Sequence, residues 1–405
     1  MGTMAACTKV PMGDDVMITK LYKKYIYKAR LRNAFVVADI VLTFKKGDTT
    51  VKRYPAIAAT YEKDDYLEYV FYLPQGLNPK NMLEKEYIFN QTFGHSYDLT
   101  GDGLKYSLKI FTKQDESIKI YNDEEIEACL KGGLPIIAGY DHFNKLISYN
   151  MVTNPHLLIA GETGSGKSVM LRVILTTLLI HKRHMIDFYL ADMKRTEFHL
   201  FRNCEGVQQV ITDKKKLKKA VLAIHKELET RGDLLDEHGL EHIDEYNKIK
   251  GIDKKKYILL CIDEVALLRK ETATMDKIED ISTQGRALGI FLILSMQRPD
   301  AKILDGQLKS NLTVRYAFRH ADLINSNITL GSGNNVDASK INKAEKGKFY
   351  MRHEVIKQLQ APYLSLEHAK ELLEPIKHVS IEDPHENEFD VEVTDLTLPG
   401  SEDDE

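Results

Sequence analysis

The chain has 405 residues, 43% of them hydrophobic and 29% charged, with a formal net charge of −4; this suits two or three globular domains and excludes a fibrous or wholly disordered protein. The charge is unevenly placed, because residues 381–405 hold eleven acidic side chains and no Lys or Arg, which leaves +7 on the rest. Cys7, Cys129, Cys204 and Cys261 stand far apart without metal-ligand or CxxC spacing, as in a reduced, cytoplasmic setting, and no run of about 18 apolar residues and no signal-peptide layout are present.

Residues 18–30 predict a short basic amphipathic helix with Leu21, Tyr25 and Ala29 along one side. Its lysine face is open to two readings, a solvated surface or a DNA contact. β-prone runs follow in FVVADIVLTF, TVKRYPAIAAT and YLEYVFYL, broken by a turn at Gly47 and Asp48. Pro74 and Pro79 open a helical stretch to residue 93, and YSLKIFT reads as one more strand. Residues 31–125 are therefore expected to form a small α+β domain behind an N-terminal segment, 1–30. DLTGDG at 98–103 begins like a calcium loop, but its twelfth position is Lys109, where a bidentate carboxylate is required, so a hairpin turn is expected.

From Leu134 onward apolar strands alternate with helices, the pattern of a doubly wound parallel α/β sheet. This nucleotide-binding core is expected over 126–375, with 376–405 an acidic tail too polar to fold on its own.

The chemistry concentrates at three places in that core. HLLIA at 156–160 runs into Gly161-Glu162-Thr163-Gly164-Ser165-Gly166-Lys167-Ser168 and then into the apolar helix VMLRVILTTLLI, a complete GxxxxGKS between strand and helix. Its glycines let backbone N–H groups and the helix N-terminus face phosphate. Lys167 is expected to reach the β- and γ-phosphates and Ser168 to hold Mg²⁺. KKYILLCIDEVALL then places Asp263 and Glu264 at the tip of an apolar strand, where Asp263 suits a Mg²⁺ ligand and Glu264 suits the base for an attacking water. That second acid argues for hydrolysis over nucleotide storage, and NKIK at 247–250 lacks the Asp of a guanine reader, so ATP is the expected nucleotide. Finally GRALGIFLILSMQRPD, 285–300, sets Gln297 at a strand end, where it can report the γ-phosphate. Arg286 lies before the same strand, open to reading as an arginine finger for a neighbouring subunit or as a surface ion pair.

PHLLIAGETGSGKSV, CIDEVALL, GRALGIFLILSMQRPD and LKSNLTVRYAFRHAD together, in this order, resemble the FtsK/SpoIIIE family of ring-forming DNA motors over residues 134–352. LPIIAGYD at 134–141 and YLADMKR at 189–195 resemble that family's first strand and its second core strand. The resemblance implies a RecA-like motor that assembles as a homo-hexamer around double-stranded DNA. It implies nucleotide and Mg²⁺ contacts from Thr163, Gly164, Gly166, Lys167, Ser168 and Asp263, catalysis by Glu264, γ-phosphate sensing by Gln297 and a trans-acting Arg286. EYVFYLPQGLNPKNM resembles the small domain that such motors stack on the ATPase ring.

The compact layout, without membrane spans or a DNA-reading winged helix after 375, resembles the FtsK-like coupling proteins of Gram-positive plasmids and conjugative elements. These would work at the inner face of the membrane with membrane-anchored or relaxosome partners. Duplex tracking needs phosphate contacts rather than base readout. Lys214, Lys215, Lys216, Lys218 and Lys219, and separately Lys248, Lys250, Lys254, Lys255 and Lys256, are expected either to line the pore or to be solvated. Related ATPases also drive type VII protein secretion, and an ATP-dependent assembly factor in plasmid replication is a further alternative; the single GxxxxGKS argues against the first, Glu264 and Gln297 against the second.

Overall fold

The computed structural model describes residues 14–378, apart from 64, 65, 86, 94–96, 112–117, 305 and 335. Cys7 and the acidic run 381–405 lie outside these residues.

The first part of the chain builds its own core. Helix α1 (Asp14–Val37) is followed by the hairpin β1 (Leu42–Lys46) and β2 (Thr49–Arg53). Strands β3 (Ala56–Glu62) and β4 (Tyr66–Tyr72), the short helices α2 (Pro79–Glu84) and α3 (Tyr87–Phe93), and strands β5 (Tyr97–Asp102) and β6 (Lys105–Phe111) complete it. The four later strands form an antiparallel sheet in the order β3-β4-β6-β5, and DLTGDG lies at the expected β5–β6 hairpin.

Two expectations fail here. The basic helix is longer than 18–30, and its buried residues are Leu31, Ala34 and Phe35, while Tyr25 is 73% exposed and Ala29 is exposed too; the side chain of Leu21 lies outside the described residues. FVV at 35–37 is the end of this helix rather than the start of a strand. Phe35 sits against Phe71 and Phe89, with ring centroids 5.0 and 6.3 Å away, and burial of one such side chain is worth about 2 kcal/mol, more than the β preference of two valines. Asp39, at φ 49°, ends the helix.

The second part carries α4 (Asp123–Cys129), β7 (Pro135–Tyr140), β8 (Leu146–Asn150), β9 (Leu157–Ala160), α5 (Lys167–Lys182), β10 (Ile186–Asp192) and β11 (Val207–Ile211). These are followed by α6 (Lys214–His238), α7 (Ile243–Tyr246), β12 (Tyr257–Asp263), α8 (Thr272–Leu288) and β13 (Ile290–Met296). Last come α9 (Gly306–Asn311), β14 (Val314–Phe318), α10 (Leu323–Leu330), β15 (Lys348–Arg352), β16 (Ile356–Gln360) and α11 (Leu366–Leu373).

All ten strands join one sheet in the order β11-β10-β12-β13-β9-β14-β15-β16-β7-β8. From β11 to β14 the strands are parallel. The central β9, β12, β13 and β14 are buried along their whole length, as continuous apolar runs in a sheet covered on both faces must be. The other end is antiparallel, so LPIIAGYD is not part of the parallel core: it is β7, paired with β8 and touching β16 at Gln360–Tyr140. Among the described residues no helix is long and apolar enough to cross a membrane.

Candidate nucleotide site

In a parallel sheet the loops that leave the C-terminal strand ends share one edge, and here that edge gathers the chemistry. β9 delivers the loop 161–166, β12 delivers Asp263 and Glu264, β13 delivers Gln297, and β10, one strand further out, delivers Asp192 and the loop after it. The loop is tied down from both sides: Gly161 N–H donates to Met296 O (3.2 Å), Glu162 N–H to Arg319 O (2.9 Å) and Gly347 N–H to Ser165 O (2.8 Å). Ser165 Oγ closes it internally on Glu162 O (2.7 Å), and Glu162 also forms an ion pair with Arg319.

The amides of Thr163, Gly164 and Gly166 have no backbone acceptor among the described residues, and the first-turn amides of α5 have none within their own helix. A loop and helix N-terminus that present unpaired N–H groups form an anion site, and a nucleotide's phosphates fit it.

Beneath the loop lies a buried polar triangle. Lys167 Nζ donates to Asp263 Oδ1 (3.0 Å) and to Ser295 Oγ (2.7 Å), and Ser295 Oγ donates to the same Asp263 oxygen (2.8 Å). Lys167, Asp263 and Ser295 are all at most 5% exposed, so each compensates the burial of the others. Ser295 was not among the expected site residues, although a lone hydroxyl inside the apolar run FLILSM was its signal. Ser168 is half-buried at the start of α5. With Asp263 it offers hard oxygen donors suited to Mg²⁺, an ion that usually completes its shell with water and phosphate oxygens; among the described residues there is no cluster of three or more acidic, His or Cys side chains that could hold a metal without them.

Glu264 is 6% exposed and has φ 62°, the left-handed region, which for a side chain of this size costs on the order of 1 kcal/mol. That turn aims its carboxylate along the site edge. Oε1 accepts the backbone N–H of Gln297 (3.2 Å) and Oε2 accepts Lys194 Nζ (2.8 Å). Gln297 and Glu264 therefore meet, through the main chain of one and the side chain of the other. Sequence reasoning passed over Lys194, Asp192 and Arg319, which arrive from neighbouring strands.

Arg286 stands apart. It is exposed in the last turn of α8, before β13 begins; β13 is seven residues long, so about 20 Å separates it from Gln297 at the far edge. Among the described residues no ion pair holds it. The two lysine groups also part company. Lys214–Lys219 begin α6 at the nucleotide edge, with Leu217, Val221, Ile224 and Leu228 buried as expected, whereas 248–256 precede β12 at the opposite edge, where Lys256 pairs with Asp187 and Lys255 with Glu227.

Two buried histidines flank the core. His156, before β9, and His320, after β14, are both pushed down to about 4 by burial. His156 Nδ1 accepts Leu292 N–H (3.0 Å), and His320 Nε2 lies 3.0 Å from Thr329 Oγ1. Burial also pushes the Cys261 thiol of β12 well above its ordinary range, so it stays protonated and inert.

Residues 130–301 match the FtsK/SpoIIIE family. The DNA translocase FtsK of Chlorobaculum tepidum is 32% identical over 256 residues, covering 58% of this chain and 30% of that protein. The DNA translocase FtsK of Helicobacter pylori strain J99 is 35% identical over 183 residues, covering 44% and 22%. The chain thus spans less than a third of these relatives' length. Among solved structures, the pCW3 conjugation coupling protein TcpA, in its monomer form with ATPgS, is similar with a TM-score of 0.55 and 27% identity, over 86% of this chain and 99% of that one. The cytoplasmic domain of the Thermomonospora curvata type VII secretion ATPase EccC has the same TM-score at 22% identity, over 64% and 34%, a likeness of fold.

Proposed function

With residues 130–301 forming an FtsK/SpoIIIE family domain, we propose that this protein is an ATPase that assembles as a hexameric ring and moves double-stranded DNA, in the manner of a coupling protein for a plasmid or conjugative element. The observation that carries the chemistry is the convergence of Lys167, Ser168, Asp263, Glu264 and Gln297 on one sheet edge, under a loop whose Thr163, Gly164 and Gly166 amides have no backbone acceptor among the described residues. The DNA substrate is supported by the FtsK relatives, and the coupling role by the likeness to the TcpA structure over most of both chains.

In this reading the loop amides and Lys167 bind the phosphates, the ammonium exchanging its Asp263 and Ser295 partners for phosphate oxygens. Ser168 and Asp263 would hold Mg²⁺, which would offset phosphate charge. Glu264 orients and deprotonates the attacking water, and Gln297 lies where the γ-phosphate is lost. Arg286, at the opposite edge, acts in the site of a neighbouring subunit, with ATP between subunits. Membrane-anchored or relaxosome proteins would bring the ring to its DNA at the inner face of the membrane.

The test is ATP hydrolysis with and without linear duplex DNA, with Lys167→Ala as the inactive control. Stimulation by duplex that fades as salt rises is expected, because phosphate contacts release counterions. Turnover indifferent to duplex at low salt would sink the DNA assignment.

A further inference from the structure

Both oxygens of Glu264 are already engaged. The Gln297 amide takes Oε1, a fixed part of the main chain, while Oε2 is taken by the Lys194 ammonium at 2.8 Å, a long side chain on a loop. That loop is built to deliver it. Asp192, 1% exposed at the end of β10, accepts the amide of Lys194 on Oδ1 (3.2 Å) and the amides of Glu197 and Phe198 on Oδ2 (2.8 and 3.0 Å), and its carbonyl accepts Arg195 N–H (3.2 Å). Arg195 is held at φ 57°, and Glu197 is fastened to Arg172 of α5 (3.7 Å). One buried carboxylate thus templates a turn whose inner face points the Lys194 ammonium at the base and whose outer face, Arg195 and Thr196, is exposed.

A base must aim a lone pair at water, and the Lys194 ammonium occupies one lone-pair site of Glu264 Oε2 and fixes where that oxygen points. We propose that Lys194 is a positioning residue that restrains Glu264: it parks the carboxylate against the 193–197 turn, and hydrolysis requires that contact to be given up. Its release is favoured by an anion at the outer face of the turn. For the motor proposed above that anion is a duplex phosphate, for which Lys194 and Arg195 together form a cationic pair. The inference rests on the assignment of Glu264 as the base of that reading.

The experiment compares steady-state ATP hydrolysis by the full chain, Lys194→Met and Lys194→Arg, each with and without linear duplex. Lys194→Met keeps the length and removes the charge, while Lys194→Arg keeps a donor. Expected for Lys194→Met is a several-fold rise in DNA-free kcat with KM for ATP unchanged and a smaller stimulation by duplex; Lys194→Arg stays near the low basal rate. A fall of kcat toward that of Glu264→Gln would overturn the proposal, because it would make the contact a support for the base. So would an unchanged basal kcat. A thermal midpoint for Lys194→Met equal to that of the parent chain separates these outcomes from misfolding, and if it does not fold, Lys194→Gln is read in the same way. Absence of turnover in the unsubstituted chain would overturn this inference and the ATPase reading together, whereas a raised basal rate without any response to duplex would keep the restraint and remove the DNA reading alone.

Discussion

Gly166 is packed against Gly347: a Cβ added to Gly166 would stand 2.8 Å from both the Cα and the N of Gly347, and Gly166 itself has φ 111°, where side chains are strained. The residue before Lys167 is therefore clamped by the loop that leads into β15, far away in sequence. Gly166→Ala is expected to push the phosphate loop off this backbone, and nucleotide binding should weaken about tenfold or more, the equivalent of 1.4 kcal/mol. The readout is the binding of a fluorescent ATP analogue. Gly306→Ala, where an added Cβ has open space around it, is the control and should bind as the parent does.

Gln297 holds Glu264 through its backbone amide, so its side chain takes no part in that contact. Gln297→Ala should leave the Glu264 contact intact and KM for ATP near that of the parent, while kcat falls by about tenfold or more, the scale of losing a hydrogen bond made only in the transition state. Turnover equal to the parent would remove Gln297 from the γ-phosphate.

Arg286, on the edge away from its own chain's nucleotide site, leads to a mixing experiment. Arg286→Ala and Glu264→Gln chains should each be nearly inactive, with losses on the order of 10³ for a missing finger. Mixed in equal amounts, they form interfaces in which an intact Glu264 faces an intact Arg286, and turnover should recover part of the way. No recovery in mixed rings of confirmed composition would mean that the two residues do not share a site.

His156 and His320 make stability depend on pH. Both are neutral in the folded chain down to about 4 because burial disfavours the imidazolium, whereas in the unfolded chain they take up protons near the ordinary value of about 6.5. Between these values the unfolded state binds more protons, so stability is complete above pH 6.5 and is lost as pH falls toward 4, by about 3 kcal/mol for each histidine. The thermal midpoint should drop steeply from pH 6.5 to 4.5. Its slope should be shallower in His320→Gln, and an identical slope would take His320 out of the account.

The parts of the site visible in sequence were those in which chemistry is written in consecutive residues. Gly161 to Ser168, and Asp263 with Glu264 after a run of apolar residues, need only a strand end to be placed. Ser295, Asp192, Lys194 and Arg319 were not visible in that way, because they come to the loop or to Glu264 only through strand order: β13 and β14 flank β9, and β10 flanks β12. The doubly wound core was legible from its alternation, but the direction of β7 was not, since an apolar strand reads the same in a parallel or an antiparallel neighbourhood. FVV at 35–37 looked like a strand because local β preference was weighed without Phe71 and Phe89, the aromatic partners that hold it as helix.

The place of β9 in the sheet also orders the birth of the protein. Its two neighbours, β13 and β14, are made more than a hundred residues after it, so the phosphate loop has no walls until residue 318 has left the ribosome. Closing contacts across such a span is slow, and the half-made chain carries bare apolar edges while it waits. Nucleotide can reward only a chain that has passed β14, so it has no hold on shorter nascent lengths.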